Sequence, residues 1–258
     1  RSRQNHQLDC KIIEARKKSR VERLCFLCLW KGVSMNGILY MDVSVFEDVL
    51  LYEKGKTLLS AERRMYMEKL KNPKAASLSL GAGVLLFFAL QKCNYTEQLE
   101  KIKKTPLGKP YLKGIDFQFN LSHSGTYALC AYSNRNIGAD LQQIKEKLPE
   151  KTEKILSKDE TSFLTKFTQP EQTQLFYRLW ARKESLIKWD GRGLRLPLQE
   201  ISFIKNGTLT DILEWEDKTL YFKEYPKINE KYAVCICKEG TDFARNAEEI
   251  TAEMLKIF

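Results

Sequence analysis

Apolar and polar positions change period several times along this chain, and the changes mark its elements. Ile38 to Val45 alternates well enough to predict a strand. Ser60 is a suitable N-cap for a helix beginning at Ala61-Glu62. Ser79 to Leu90 is apolar on most sides, which predicts a helix buried in the core. Gly108-Lys109-Pro110 reads as a turn. Phe117–Leu121, Tyr127–Tyr132 and Ile137–Leu141 predict three short strands, with His123 in the connection between the first two.

The second part of the chain repeats this order. Leu156-Ser157-Lys158-Asp159-Glu160 echoes Leu59-Ser60-Ala61-Glu62, 97 residues later. A long helix from about Gln172 to Trp189 follows, stopped by Gly191 and Gly193. The run Tyr232–Cys237 echoes Tyr127–Tyr132 at an offset of 105. Two similar α+β halves about a pseudo-two-fold axis account for these echoes; chance matching of short apolar strings is the alternative. Paired halves leave a cleft between them, a common place for a ligand.

Composition narrows the class. Of the 258 residues, 43% are hydrophobic and 29% charged, the balance of a globular protein. The longest apolar run, Val84–Leu90, falls short of the ~18 residues needed to cross a bilayer. The formal charge of +10 invites a nucleic-acid reading. However, residues 1–34 hold nine Lys or Arg against three Asp or Glu, a net of +6, leaving only +4 for the rest. Residues 1–34 are therefore read as an extension, non-native or disordered. Its run Leu24–Trp30 has the shape of a signal-peptide core but lacks a small-residue cleavage pattern. Among the seven cysteines, Cys25 and Cys28 sit in the extension and Cys235 and Cys237 on one face of an apolar strand. With only His6 and His123 in the chain, a zinc site has little support, and reduced, buried thiols of a cytoplasmic protein are expected.

Candidate chemistry centres on one helix. Trp180, Glu184 and Lys188 are spaced i, i+4, i+8 and share a face, while Leu175, Leu179, Leu186 and Ile187 turn to the core. Glu184 and Lys188 alone make an ordinary surface ion pair. A carboxylate beside an ammonium can also hold Mg²⁺ and phosphate together. Asp140 follows Gly138 at the end of a strand, where the glycine would let another backbone approach closely. If the halves meet there, Asp140 and Glu184 can share one cation. His123, in Asn120-Leu-Ser-His-Ser-Gly125, has neighbours suited to anion binding, and Lys109 adds positive charge.

Together these strings resemble the 4′-phosphopantetheinyl transferases of the surfactin-synthetase-activating (Sfp) type. The matching segments are Gly108-Lys-Pro110, Phe119-Asn-Leu-Ser-His-Ser-Gly125, Ile137-Gly-Ala-Asp140 and Phe176-Tyr-Arg-Leu-Trp-Ala-Arg-Lys-Glu-Ser-Leu-Ile-Lys-Trp-Asp-Gly-Arg-Gly-Leu194, in the family's order. Looser similarity runs from about Asn36 to the C-terminus. The resemblance implies an α+β fold of two pseudo-symmetric halves, residues 35–141 and 142–258, each a small, mainly antiparallel sheet packed with a long helix. It implies Asp140 and Glu184 as Mg²⁺ ligands and Lys188 near the phosphates. Ser122 and His123 match contacts to the 3′-phosphate of coenzyme A, as do Arg63 and Ser79, while Lys109 and Pro110 match nucleotide contacts. Many relatives carry a second acid two residues after the aspartate. Here Gln142 stands in its place, a weaker oxygen ligand or a position left to water.

The implied reaction moves the 4′-phosphopantetheine arm of coenzyme A to a serine of an apo acyl carrier or peptidyl carrier protein and releases 3′,5′-ADP. Mg²⁺ is the expected metal, with Mn²⁺ as the alternative. Glu184, directly or through a metal-bound water, is the expected base and Lys188 the neutraliser of leaving-group charge. A monomer is expected, with no nucleic-acid or membrane partner. Two rivals remain: a nucleic-acid-binding protein using its charge and aromatics such as Tyr177 and Trp180, and a coenzyme A-binding member without transfer, for which Gln142 is the only support.

Overall fold

A computed structural model describes residues 35–258; the reading of residues 1–34 as an extension, the run Leu24–Trp30 and the Cys25–Cys28 pair lie outside the described residues. Strand β1 (Gly37–Asp42) is followed by helices α1 (Val49–Thr57), α2 (Ala61–Glu68) and α3 (Pro73–Lys92). Short strands β2 (Lys103–Lys104) and β3 (Pro110–Tyr111) lead to β4 (Gln118–Ser124), β5 (Tyr127–Ser133) and β6 (Ile137–Gln143). Helices α4 (Lys158–Leu164) and α5 (Gln169–Asp190) precede β7 (Ile204–Lys205), β8 (Thr208–Leu209), β9 (Ile212–Trp215), β10 (Lys218–Glu224) and β11 (Tyr232–Glu239). The chain closes with β12 (Glu248–Glu249) and α6 (Ala252–Lys256).

Two four-stranded sheets result, ordered β12-β1-β5-β4 and β6-β11-β10-β9. All pairings within them are antiparallel except β1 with β12. Helix α3 covers the first sheet and α5 the second, so the fold is α+β with one long helix per sheet. Ile38, Leu129 and Ala131 of the first sheet meet Ile137, Ala139, Leu141, Val234 and Ile236 of the second in a shared core. On its other face the second sheet presents Ala233, Cys235 and Cys237 to Leu179, Leu186 and Ile187 of α5. Each fully buried aliphatic side chain of this kind contributes about 1.5–3 kcal/mol.

Several boundaries move from their sequence expectations, each for a local reason. β1 stops at Asp42, whose carboxylate accepts from Ser44 N and turns the chain into a short 3₁₀ segment instead of continuing to Val45. The central helix begins at Pro73 rather than Ser79. Asn72 caps it by accepting from the Lys74 and Ala75 amides, and Pro73 occupies the first turn, where its missing N–H costs nothing. At 20 residues, α3 is long and apolar enough to cross a membrane by length and composition, a correction to the short-run estimate from Val84–Leu90. It is mostly buried inside the protein, as a core helix. Ser60 caps α2 as expected, accepting from Arg63 N. α5 ends at Gly191, whose φ of +86° is a left-handed cap that favours glycine.

The join between the sheets positions the site. β4 extends through Ser124, so His123 is a strand residue paired with Ala128 and not part of the connection. No backbone ladder links β4 to β6. Instead, alternate side chains of β4 reach the backbone of β6. Asn120 Oδ1 accepts from Ala139 N, Ser122 Oγ from Leu141 N and Ser124 Oγ from Gln143 N, at 3.2, 3.2 and 3.0 Å. Period-two geometry puts these three on one face and Phe119, Leu121 and His123 on the other. Across β6, a Cβ at Gly138 would collide with the Ser185 carbonyl and the Trp189 amide of α5. Glycine there lets the helix lie directly on the strand.

Candidate active site

That close approach brings the acids together. Asp140 sits on β6, two residues beyond Gly138, so its side chain leaves the strand on the same face, toward α5; Glu184 and Lys188 are one turn apart on that helix. Lys188 Nζ lies 2.6 Å from Asp140 Oδ1 and 2.8 Å from Ser122 Oγ. Ser122 Oγ also donates to Asp140 Oδ1 at 2.8 Å, and Gln142 Nε2 donates to Asp140 Oδ2 at 2.8 Å. Asp140 is 2% exposed, so every one of these bonds compensates a buried charge.

Glu184 has a different environment. Its carboxylate accepts no hydrogen bond and enters no ion pair among the described residues. Burial, and then repulsion from Asp140, push its pKa up to about 7, against the opposing pull of Lys188. Two carboxylates within each other's field, one of them unpartnered, form a donor set that a divalent cation would satisfy. Magnesium commonly takes one or two protein carboxylates and completes its shell with water and phosphate oxygens. The residues present therefore fit such an ion. No group of three or more His, Cys, Asp or Glu suited to a metal occurs among the described residues, so the chain alone does not form a closed cage. The amide nitrogen of Gln142 is already engaged by Asp140, so only its carbonyl oxygen is left to offer.

On the opposite face of β4 a cavity of about 400 Å³ opens, lined by Arg63, Tyr66, Pro110, Phe119, Leu121 and His123 among others. Arg63 holds the Ser79 carbonyl through Nε at 3.0 Å and has no carboxylate partner among the described residues. Burial lowers its pKa, yet a guanidinium stays charged in proteins, so the cavity, whose wall also includes Glu62, Glu100 and Lys104, holds a cation without a direct carboxylate contact. The His123 imidazole keeps contact with solvent. The crowding walls, then Lys188 and Arg63, lower its pKa. The same ring feels Asp140, so the cavity and the acid pair adjoin.

The ten residues expected from sequence thus divide. Asp140, Gln142, Ser122, Glu184 and Lys188 form one cluster, and Arg63, Pro110 and His123 line the neighbouring cavity. Two fall outside both. Lys109 Nζ donates to Asn136 Oδ1 and to the Trp189 carbonyl, capping the C-terminal end of α5, and burial pushes its pKa down to about 8. Ser79 is buried within α3, where its carbonyl anchors Arg63. Tyr66, on the cavity wall, was not singled out; it stands three residues beyond Arg63 on α2, so helical spacing was the available signal.

An acid pair beside an ammonium thus adjoins a cavity walled in part by Arg63 and His123. Comparison with known proteins gives it a family. Residues 136–237, which contain Asp140, Glu184 and Lys188, match the 4′-phosphopantetheinyl transferase superfamily. The chain is 28% identical over 221 residues to 4′-phosphopantetheinyl transferase Sfp of Bacillus subtilis (strain 168), covering 84% of this chain and 97% of that one. It is 30% identical to 4′-phosphopantetheinyl transferase gsp of Aneurinibacillus migulanus over 180 residues, 69% of this chain and 76% of that one. A third relative, a 4′-phosphopantetheinyl transferase of Bacillus subtilis, is 34% identical over 151 residues, 57% and 67% of the two chains. The chain belongs to the 4′-phosphopantetheinyl transferase family, in its Sfp type, and is a transferase.

Proposed function

We propose that this protein transfers the 4′-phosphopantetheine arm of coenzyme A to a serine hydroxyl of an apo acyl carrier or peptidyl carrier protein, with Mg²⁺, releasing 3′,5′-ADP. The observation that carries the reading is the unpartnered Glu184 carboxylate facing Asp140 at the border of the Arg63–His123 cavity. We read residues 35–141 and 142–258 as the two halves that form this cleft, and the protein as a cytoplasmic monomer.

Arg63 and His123 suit the 3′-phosphate end of coenzyme A, because the buried guanidinium gains the counter-ion it lacks. Pro110 and Tyr66 supply apolar wall for the nucleoside. The diphosphate then lies toward Asp140 and Glu184, which would hold Mg²⁺. Bound there, the ion would withdraw charge from the diphosphate and lower its repulsion of an incoming oxygen. The carrier serine attacks the phosphorus that bears pantetheine, a new P–O bond forms, and the bond to the other phosphate breaks with 3′,5′-ADP as leaving group. Glu184 receives the serine proton at the carboxylate oxygen that the cation would leave open. Lys188 neutralises charge gathering on the leaving phosphate, from a position one helical turn away.

The test is direct. Full-length protein is incubated with an apo carrier protein, coenzyme A and Mg²⁺, and the carrier is weighed by mass spectrometry. Addition of the phosphopantetheine arm to the serine supports the reading. A carrier left unchanged by wild-type protein, under conditions where an authentic transferase loads it, refutes it.

A further inference from the structure

A separate cavity, of about 360 Å³, opens beside the core shared by the two sheets, and none of its lining residues belongs to the acid pair or to the Arg63 cavity. Its size is that of a small-ligand site. We propose that it binds a small organic anion, a charged group carried on a flat apolar body, at a place distinct from the transferase centre.

First, the walls are fixed. The Ala244 carbonyl accepts from Tyr225 Oη at 2.6 Å and from Lys223 Nζ at 2.9 Å, which pins residues 243–247 to the end of β10. Just beyond that segment, Glu249 pairs with Tyr40 across β12 and β1, and Ile250 N donates to the Tyr40 carbonyl. One side of the cavity is thus tied to each sheet, and little ordering is left for a ligand to impose. Second, the charge is one-sided. Lys223, Lys227 and Arg245 line the cavity, and none of the three pairs with a carboxylate among the described residues. The acid in the lining, Glu224, is committed to Arg178 at 2.9 Å and to Arg182 at 2.8 Å. Glu249 stands outside the lining; burial and then its charge raise the Tyr40 pKa, so the phenol stays protonated and able to donate. Third, the floor is apolar. Tyr225 and Ile228 are 6% and 8% exposed, and Tyr40 adds a second ring. Lys227 and Arg245 stand exposed at the rim, and Lys223 lies 5.0 Å from the centre of the Tyr225 ring. Aromatic walls under a cationic rim match a ligand that is flat and apolar at one end and anionic at the other.

The probe is phenyl phosphate, titrated by calorimetry into full-length protein, with inorganic phosphate and phenol as its separate halves. Phenyl phosphate is expected to bind saturably, more tightly than either half, and to weaken as NaCl is raised. Lys227→Ala and Arg245→Ala should each weaken it about two- to fivefold, the range of exposed charge pairs. The double reversal Lys227→Glu/Arg245→Glu should remove one phenyl phosphate site from the titration. It should do so in wild-type and in Arg63→Ala protein alike, which separates this cavity from the one that Arg63 lines. Both side chains are exposed, so the variants are expected to keep the fold, as an unchanged far-UV spectrum would check. Bound phenyl phosphate should also raise the melting temperature of Arg63→Ala protein, and the double reversal should abolish that rise. The proposal is overturned by the absence of saturable binding, by the same number of sites and the same affinity in the double reversal, or by inorganic phosphate binding there as tightly as phenyl phosphate. None of these outcomes depends on whether the protein loads a carrier.

Discussion

Helix α5 carries two lysine–carboxylate pairs five residues apart, and they do opposite things. Lys183 is fully buried, with Nζ 2.6 Å from the Leu198 and Ile201 carbonyls and 2.8 Å from Glu160 Oε2. Its three N–H groups are all taken. Glu160 in turn accepts from Ser157 N and Phe203 N, so the pair locks α4, α5 and the segment before β7 into one piece. Among the described residues Lys188 engages only Asp140 and Ser122, and its side chain keeps 26% of its exposure. One N–H is left free for a ligand. Saturated valence marks a residue that holds the fold, and leftover valence beside an unpartnered acid marks one that meets substrate.

Breaking each side of this contrast gives distinct outcomes. Glu184→Gln is expected to lower transfer by about 10²–10⁴-fold, read as the rate of carrier loading, with an unchanged far-UV spectrum. Loading at the wild-type rate would remove Glu184 from the role of base. Lys183→Met should cost about 3–5 kcal/mol in urea unfolding, because Glu160 is left as a lone buried charge, while the folded fraction keeps its turnover. An unchanged unfolding midpoint would show that the pair is not what joins those segments. Lys188→Ala should reduce turnover at saturating coenzyme A more than it weakens coenzyme A binding. Weaker coenzyme A binding with unchanged saturating turnover would assign Lys188 to ground-state binding.

A pH effect separates the two regions further. Glu184 has a folded-state pKa near 7 against an ordinary value of 4.5. A carboxylate raised in the folded state binds protons that the unfolded chain has already released. Its contribution to stability is therefore full below pH 4.5 and is lost as pH rises through about 7. Metal-free Glu184→Gln protein should accordingly melt above wild type at pH 8, with the gap closing toward pH 4.5. Carboxylate titration by NMR should place the Glu184 inflection near 7, moving lower when Mg²⁺ is added because a cation favours the ionised form. A melting gap independent of pH would show that Glu184 does not titrate in that range. The smallest effect belongs to Ser157→Ala, which removes the capping box of α4 and should cost about 1 kcal/mol, measured by thermal melting.

Much of the site was legible before folding. Glu184 and Lys188 share a helical face by spacing alone, and Gly138 before Asp140 marks a strand made for close approach. His123 was harder to place, because the polar string Ser-His-Ser-Gly carries no apolar alternation and so reads as a connection. Pairing with Ala128 across the ladder makes it strand. Lys183 gave no signal of its own: a lysine in an amphipathic helix is ordinarily solvated, and only the arrival of Glu160 and two carbonyls makes its burial tolerable.

Local order along the chain was sufficient for the long central elements, the Ser60 cap and the identity of the ionisable groups, since periodicity and capping act within a few residues. Tertiary structure alone decided which of those groups ended up with every hydrogen-bonding site filled and which did not. Most of that filling depends on partners 15 to 66 residues away, brought together by β4, β6, α5 and the segment before β7, and no local pattern encodes those distances.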